Sequence, residues 1–542
     1  MKESQTELHQ PSTEKRTQFD AVIVGAGFAG MCMLHKLREM GFTAKVYEAG
    51  GNVGGTWYWN RYPGARCDVP SLQYSYQFSE ELQQEWQWTE RYSSQPEILR
   101  YANHVADRFG LRKDIQFNTR VESVILDESS RNWTVTTDRG DKATARFCIM
   151  ATGCLSSQNM PKFPGLADFK GEWHHTGHWP HEGVNFAGKR VGVIGTGSTG
   201  IQAIPMIAQQ AKHLFVFQRT PQYSVPARNN PLDKTEEARI KADYKGYRSR
   251  NNKNPFAQDF SLPTANTFDV SEEERLQHYE ACWEKGGLGM MLAYADSGTN
   301  LTANQTVSEF VKGKIRHIVK DPAVAELLMP DHIYACKRPC LDTHYFDTYN
   351  RPNVTLVDIR GEGLERITPQ GILAKGQEYE LDCIVFATGF DAMTGSLNRI
   401  NIRGKGNLAL KDKWMEGPRA YLGLSSAGFP NLFTITGPGS PSVLANMIPA
   451  IEQHVNWIGG CLEYMRTHKF QSIEATAEAE DPWLVQVQAA ASATLWNACD
   501  NWYLGANVPG KPRVFMPYVD WVGYVAKCEA VVKNSYEGFL LQ

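Results

Sequence analysis

Two glycine clusters in this sequence have the spacing that binds the pyrophosphate of a dinucleotide. Each follows a short apolar run, residues 21–24 in the first case and 191–194 in the second. In a G-x-G-x-x-G turn the first glycine permits the tight turn, the second lets a phosphate approach the backbone, and the third allows close helix–strand packing. The following helix directs its positive N-terminal end at the phosphates. The glycines are Gly25, Gly27 and Gly30, and then Gly195, Gly197 and Gly200.

The residue at the end of the next predicted strand distinguishes the two clusters. After the first cluster, the strand 45–48 ends in Glu48, and an acid at this place bonds ribose hydroxyls. After the second, the strand 214–218 is followed by Arg219 and Thr220. A cation suits a 2′-phosphate and Thr220 adds a hydroxyl donor, so this strand end predicts NADPH rather than NADH.

The presence of two nucleotide sites in one chain limits the reactions that the protein could catalyse. One site would suit an ordinary dehydrogenase. Two sites imply that hydride passes from a nicotinamide to a second nucleotide cofactor, and FAD is the one that we expect.

The composition excludes several other classes of function. The chain has 542 residues, which predicts two or three domains. Its net charge is −3 and its pI about 6.6, so no basic surface for nucleic acid or anionic membranes is indicated. No apolar run approaches the roughly 20 residues that span a bilayer. Residues 1–18 are polar without a signal-peptide core, so we expect a disordered tail on a cytoplasmic protein.

The cysteines give no sign of a redox or metal motif. There are 11 of them, scattered, and no C-x-x-C occurs. Cys336 and Cys340 are four residues apart, but a functional dithiol there is not expected. Reduced thiols are typical of a cytosolic protein and are the prediction here.

A conspicuous segment lies between the two glycine clusters. Its four histidines superficially suggest a metal site: His174, His175, His178 and His181. No nearby Asp, Glu or Cys completes a convincing ligand set, so no metal is expected. The segment instead has the pattern F-x-G-x-x-x-H-x-x-x-W-P, formed by Phe169, Gly171, His175, Trp179 and Pro180.

A second pattern, G-x-W-x-x-x-x-Y-P-G-x-x-x-D, runs from Gly55 to Asp68. With these two patterns and both glycine clusters, the chain resembles the Baeyer–Villiger monooxygenases, flavoproteins that insert an oxygen atom beside a ketone carbonyl. The resemblance extends from Phe19 to Gly538. The segments 61–68 and 506–511 are most similar to the phenylacetone and steroid branch, and then to the cyclohexanone branch.

The resemblance implies an α/β fold with two doubly wound, Rossmann-like dinucleotide-binding domains and a helical insertion. A-T-G motifs at 151–153 and 387–389 mark two crossings, so the NADP domain is expected to be inserted into the FAD domain. The predicted bounds are 19–154 and 390–542 for the FAD domain and 155–389 for the NADP domain. The helical insertion is predicted at about 222–330, and we find no motif in it that carries chemistry.

The resemblance also implies roles for particular residues. Arg338 would support the reactive oxygen species and Asp68 would orient Arg338, while His175 would couple the motion of the domains. The residues expected to bind FAD are Gly25, Gly27, Gly30, Glu48, Gly55, Thr56, Trp57, Tyr58, Trp59, Asp68, Tyr74 and Met447. Those expected to bind NADP are Arg66, Gly195, Gly197, Ser198, Thr199, Gly200, Gln202, Arg219, Thr220, Lys337, Arg338 and Trp502. The substrate pocket is expected to include Val443, Leu444 and Met447.

The implied reaction converts a ketone to an ester or lactone with NADPH and O₂, through a C4a-peroxyflavin. The peroxide must be anionic to attack a carbonyl, which requires a fixed positive charge in a water-poor pocket. Arginine suits this task because it stays protonated. The alternatives are a flavin N- or S-oxygenating monooxygenase, which needs no peroxide anion, and a flavin–NADPH redox protein that does not oxygenate.

Overall fold

The computed structural model describes residues 17–361 and 363–542. The predicted tail therefore lies outside the described residues up to position 16, but Gln18, assigned to the tail, already belongs to the first strand. The strands of the described residues are β1 (Gln18–Val24), β2 (Ala44–Tyr47), β3 (Ile115–Gln116), β4 (Val121–Asp127), β5 (Asn132–Thr137), β6 (Lys142–Met150), β7 (Glu172–His175), β8 (Arg190–Ile194), β9 (His213–Gln218), β10 (Ser224–Pro226), β11 (Cys340–Asp342), β12 (Val354–Asp358), β13 (Leu364–Ile367), β14 (Gly371–Ala374), β15 (Gln377–Glu380), β16 (Cys383–Phe386), β17 (Asn401–Arg403), β18 (Leu432–Thr434), β19 (Ile473–Ala475) and β20 (Phe539–Leu541).

Helices alternate with most of these strands, as in other doubly wound folds. Those of the described residues are α1 (Phe28–Glu39), α2 (Thr56–Trp59), α3 (Glu80–Glu85), α4 (Gln95–Arg108), α5 (Ser198–Ala208), α6 (Lys234–Ala242), α7 (Tyr244–Asn252), α8 (Glu272–Lys285), α9 (Leu301–Ile318), α10 (Pro322–Leu328), α11 (Tyr345–Thr348), α12 (Gly395–Asn398), α13 (Leu410–Lys413), α14 (Met447–His468), α15 (Ala477–Ser492) and α16 (Trp521–Lys533). No helix in the described part of the chain is both long enough and apolar enough to cross a bilayer.

The larger sheet combines both ends of the chain. Its strand order is β17-β4-β5-β6-β1-β2-β3, and β18 pairs with the second half of β6. Strands β1, β2, β3, β6 and β18 form its parallel part. Strand β5 is antiparallel to both β4 and β6, and β17 pairs in parallel with β4. Strands before residue 151 and after residue 400 thus share one sheet.

The second sheet has five parallel strands in the order β12-β9-β8-β16-β7. All of them lie between residues 172 and 386, inside the segment that separates the two parts of the larger sheet. The two A-T-G motifs come directly after β6 and β16. Both crossings therefore begin at the carboxyl end of a central strand, where doubly wound sheets bind ligands.

Each glycine cluster forms a turn that only glycine permits. Gly25 has φ +103° and Gly195 has φ +110°, a region that side chains with a Cβ rarely adopt. A Cβ on Gly30 would lie 1.8 Å from the carbonyl oxygen of Gly25, and one on Gly200 would lie 2.2 Å from that of Gly195. The helices α1 and α5 can therefore pack directly on the turns that precede them.

The segment between β9 and β12 supplies the predicted helical part, from α6 to α10. Its helices enclose a separate apolar cluster that includes Tyr279, Trp283 and Val307. The buried Arg248 of α7 connects this helical part to the segment between α2 and α3. Its guanidinium donates to the carbonyl oxygen of Gln73 at 2.9 Å and to Oγ of Ser75 at 2.7 Å.

Candidate active site

An arginine–carboxylate pair joins segments that are 270 residues apart. Nε of Arg338 donates to Oδ2 of Asp68 at 2.9 Å, and its Nη1 donates to the carbonyl oxygen of Val443 at 3.1 Å. The Arg338 side chain is only 21% exposed. Burial alone would lower the pKa of Arg338, but Asp68 and Tyr503 together outweigh burial, and the net pKa is raised above the ordinary value. The cation is therefore fixed in place at any working pH.

Arg338 lines a cavity whose walls are mainly apolar. We call it the arginine cavity. Tyr503 lies beside the guanidinium, and burial raises the pKa of its hydroxyl to about 12 although Arg338 opposes the shift. The hydroxyl therefore stays neutral. The lining residues are Phe256, Gln258, Phe260, Leu288, Met291, Leu292, Arg338, Leu444, Trp496 and Tyr503.

The helical insertion contributes six of these residues, those from Phe256 to Leu292, so it forms part of the cavity wall although no motif in it carries chemistry. They sit in loops and a short 3₁₀ helix, Leu288–Leu292, rather than in the regular helices that the sequence suggests. No local sequence pattern identifies these residues as cavity-lining, because scattered apolar residues also occur in every hydrophobic core.

The three predicted pocket residues take different positions. Leu444 lines the arginine cavity, and Val443 meets Arg338 through its carbonyl oxygen. Met447 begins α14 and borders a neighbouring apolar cluster, as do Val443 and Trp502. Trp502 thus lies near the predicted pocket residues, although it is far from Met447 in the chain.

The aromatic segment after the first glycine cluster packs against the histidines of the fingerprint. Trp59 stacks on His178 with ring centroids 5.3 Å apart, and Tyr58 meets His181 edge-on at 4.8 Å. These contacts pack α2, which begins at Thr56, against the fingerprint segment. Trp57 is buried and donates from Nε1 to the Tyr74 hydroxyl at 3.1 Å.

Glu48 comes directly after β2 and lies against the first glycine turn. Its carboxylate accepts from the backbone N–H of Ala26 at 2.6 Å and of Gly50 at 2.7 Å. Burial raises the pKa of Glu48, and the two N–H donors oppose that shift. The acid is thus positioned at the strand end where a ribose would lie.

The second glycine cluster meets the Gly55–Asp68 segment. Gln202 on α5 accepts from the Tyr62 hydroxyl at 2.8 Å and donates to the carbonyl oxygen of Arg66 at 3.0 Å. The Arg66 side chain forms an ion pair with Glu90. Ser198 and Thr199 are the first residues of α5, so they lie at the end of the helix that attracts anions.

Two cations influence each other near the second glycine cluster. Arg219 comes directly after β9 and is exposed, and Thr220 accepts from Oγ1 of Thr196 through its carbonyl oxygen at 3.0 Å. Lys337 is close enough to Arg219 that the two charges interact. The pKa of Lys337 is lowered, mainly by burial and further by Arg219, because a second positive charge disfavours its protonation. A phosphate bound between the two cations would relieve this repulsion.

The fingerprint histidine is buried at the second crossing. Nδ1 of His175 accepts from the N–H of Gly177 at 3.0 Å, and its Nε2 lies 3.2 Å from Oγ1 of Thr388 in the second A-T-G motif. Burial lowers the pKa of His175 to about 4, so the ring is neutral near pH 7. Phe169 and Trp179 are buried, and a Cβ at Gly171 would lie 2.5 Å from the carbonyl oxygen of Asp382.

The expectation of reduced thiols is wrong for one pair, because Cys336 and Cys499 form a disulfide. The two residues are 163 positions apart, so no local spacing could predict the bond. Cys340 remains a free, buried thiol. Asn501 strengthens the same junction, since its Nδ2 donates to the carbonyl oxygens of Cys336 at 3.0 Å and Trp496 at 2.7 Å. The segment 496–504 is therefore tied to the segment that carries Lys337 and Arg338.

The residues of both clusters fit a dinucleotide. A Cβ at Gly197 would meet no heavy atom within 4 Å, so the space before this turn is open to a phosphate. At Gly27 a Cβ would lie 3.3 Å from Cα of Gly55, so a second glycine turn borders the first cluster. Together with the arginine cavity, the two turns define a class of protein, an oxidoreductase with two dinucleotide folds.

Known proteins of similar sequence and structure specify that class further. The sequence profile of the pyridine nucleotide-disulphide oxidoreductase family matches residues 22–247. A Baeyer–Villiger monooxygenase of Pseudooceanicola batsensis is 44% identical, with 95% of each chain covered. A phenazine N-monooxygenase of Lysobacter antibioticus is 42% identical over 97% of each chain. The structure of an oxidised steroid monooxygenase bound to NADP matches with a TM-score of 0.93 and 50% identity, over 97% of this chain and 99% of that one. The chain belongs to the Baeyer–Villiger monooxygenase family.

Proposed function

We propose that this protein is an FAD- and NADPH-dependent Baeyer–Villiger monooxygenase that converts ketones to esters or lactones. The balanced reaction is ketone + NADPH + O₂ + H⁺ → ester + NADP⁺ + H₂O. FAD, once reduced by NADPH, supplies the activated oxygen atom that the reaction inserts. The protein's own residues bind the cofactors, hold the ketone and stabilise the charge that develops on oxygen.

The observation that carries the proposal is the position of Arg338. A guanidinium has five N–H donors, and Asp68 and Val443 use only two of them. Tyr503 contacts the same group, and the donors that remain are available to an oxyanion in the arginine cavity. In an apolar cavity such a fixed cation stabilises negative charge far more than it would in water. N- and S-oxygenation have no comparable need for it.

The cofactor sites proposed are the two glycine clusters with their neighbouring residues. Glu48 at the end of β2 supports FAD at the first cluster, and the pair Arg219 and Lys337 supports NADPH at the second. Asp68 is proposed to orient Arg338 rather than to react itself. His175, buried and neutral at the crossing, is proposed to couple the two domains and not to transfer protons.

The domain bounds proposed are 19–154 and 390–542 for the FAD domain and 155–389 for the NADP domain. The division of strands between the two sheets supports them. A cytoplasmic location is proposed as well, supported by nine free cysteines of the described residues, although the Cys336–Cys499 disulfide is unusual for that compartment.

The test is product analysis under ¹⁸O₂. Purified, FAD-loaded enzyme with NADPH is offered linear, cyclic, aromatic and steroidal ketones, together with an aromatic N-heterocycle and a thioether. One labelled oxygen in the ring or chain of an ester is expected, with one NADPH consumed per ester. Labelled N-oxide or sulfoxide without any ester would assign the alternative oxygenase activity. Label found only in hydrogen peroxide across the whole panel would refute the monooxygenase function.

A further inference from the structure

One polar side chain in the arginine cavity has no use in the proposed reaction. Gln258 lines the cavity, is 3% exposed, and its Oε1 has no hydrogen-bond partner among the described residues. The walls around it are aromatic and aliphatic. Buried amide oxygens are nearly always hydrogen-bonded in folded proteins, because leaving one unpaired costs free energy.

The loop that carries Gln258 is closed by its own hydrogen bonds. The side chain of Asn254 closes it, with Nδ2 donating to the carbonyl oxygen of Phe260 at 2.9 Å and Oδ1 accepting from the N–H of Phe256 at 3.2 Å. Between them Ala257 has φ +50°, a conformation that non-glycine residues rarely adopt. The loop is therefore held in a conformation that places Gln258 in the cavity wall.

Two further hydrogen bonds fix this loop to the cofactor and substrate segments. The N–H of Asp259 donates to Oε1 of Gln73 at 3.0 Å. The carbonyl oxygen of Phe256 accepts from the N–H of Asn446, next to the predicted pocket residues, at 2.9 Å. Since Gln258 lies between these anchors, its amide has a defined position relative to Arg338.

We propose that Gln258 is a specificity-determining residue that hydrogen-bonds a hydroxyl group on the ketone substrate, remote from the carbonyl. The inference rests on the proposed function and names the substrate class as neutral hydroxyketones with an apolar body. A hydroxyl fits because it both donates and accepts, as a glutamine amide does. An ammonium group would be repelled by Arg338, and a carboxylate would bind that cation instead.

The test compares matched ketones with the FAD-loaded holoenzyme. The probes are 2-alkanones and the corresponding ω-hydroxy-2-alkanones, in a series of chain lengths, with 4-phenylbutan-2-one and 4-(4-hydroxyphenyl)butan-2-one as a rigid pair. Ester formation gives kcat/KM for each probe. At one chain length or in the rigid pair, kcat/KM for the hydroxylated ketone is expected to exceed that of its plain counterpart by about 10-fold or more. The dependence of kcat/KM on chain length among the plain ketones is subtracted first.

The variants Gln258→Leu and Gln258→Met should lower kcat/KM for the hydroxylated ketone about 10-fold more than for its plain counterpart, so that the preference disappears. Both are nearly isosteric, so one serves if the other fails to bind FAD. Gln453→Leu is the matched control. Oε1 of Gln453 also lacks a partner among the described residues, but Gln453 lies on α14 outside the cavity wall. This variant should retain the preference.

The outcomes separate this inference from the proposed function. Ester formation from plain ketones without any hydroxyl preference in the wild type would overturn the role of Gln258 alone. A preference that survives in both Gln258 variants would overturn it equally. If no ketone of either kind yields an ester, the proposed function fails and the inference fails with it.

Discussion

At the scale of single residues, the proposed mechanism requires a positive charge in a fixed position. Arg338 is the cation on an apolar cavity, and Asp68 fixes it through one hydrogen bond of 2.9 Å. Lysine carries the same charge but cannot reproduce the planar fork that binds Asp68 and Val443 together. The geometry therefore distinguishes a positioned guanidinium from a simple positive charge.

Arg338→Ala should reduce ester formation by about 100-fold or more, because the developing oxyanion loses its fixed donor. NADPH oxidation should continue, with hydrogen peroxide as its product. Arg338→Lys should recover only a small part of the ester yield. The measurement is ester and peroxide formed per NADPH consumed. Undiminished ester formation in Arg338→Ala would remove this residue from the proposed role.

The fingerprint histidine predicts a pH dependence of stability. The pKa of His175 is about 4 in the folded state against about 6.5 for a free histidine, so the unfolded chain binds the proton first as pH falls. The free energy of unfolding should therefore decrease between about pH 6.5 and 4 and change no further from this cause below pH 4. His175→Asn keeps an acceptor for the Gly177 N–H but does not titrate.

The check is urea unfolding of wild type and His175→Asn across that range. The wild type should lose stability more steeply with falling pH. Parallel pH curves for the two proteins would mean that His175 is not buried as a neutral ring.

At the scale of elements, the residue directly after one strand is proposed to select NADPH over NADH. β9 ends at Gln218, and the next residue, Arg219, interacts with Lys337 from a segment far along the chain. Each cation alone is an ordinary side chain near the surface. Together at one strand end they are proposed to bind the 2′-phosphate dianion, which NADPH carries and NADH lacks.

Arg219→Ala should lower kcat/KM for NADPH by about 10-fold or more, since a charge-assisted hydrogen bond to the phosphate is lost. The value for NADH should change little. Lys212→Ala, just before the other end of β9, is the control and should affect neither cofactor. Equal losses with both cofactors in Arg219→Ala would argue for a structural role rather than phosphate recognition.

At the scale of the whole molecule, distant segments converge on the arginine cavity. The helical insertion, Arg338, Leu444 and the segment 496–504 all contribute to its walls. The Cys336–Cys499 disulfide and the side chain of Asn501 hold the last of these in place. The walls of the cavity therefore come from segments that only the complete fold brings together.

The double variant Cys336→Ala/Cys499→Ala should lower the free energy of unfolding by about 2–4 kcal/mol, as expected when a cross-link of a long loop is removed. A dithiol reductant should lower the Tm of the wild type towards that of the variant and leave the variant unchanged. Peptide mapping without reduction should recover the linked peptides. Alkylation of both cysteines in the untreated protein would show that the bond is not formed.

Much of this protein can be predicted from local sequence. Glycine spacing requires only a few consecutive residues, because a phosphate-binding turn is a local backbone structure, so both nucleotide clusters could be located before any fold was known. The acid after β2 and the cation after β9 are equally local. The resemblance to a family then implied Arg338 and Asp68 as partners, and the structure brings the two side chains together.

The relations between distant segments could not be determined from the sequence alone. The insertion residues around Gln258, the partner of Cys336 and the interaction of Lys337 with Arg219 are ordinary side chains in their own neighbourhoods. They acquire a function only where folding brings distant segments into contact. Such contacts produce no periodic pattern in the sequence. The nucleotide turns are thus determined by the sequence itself, whereas the shape and polarity of the substrate cavity are decided by tertiary packing.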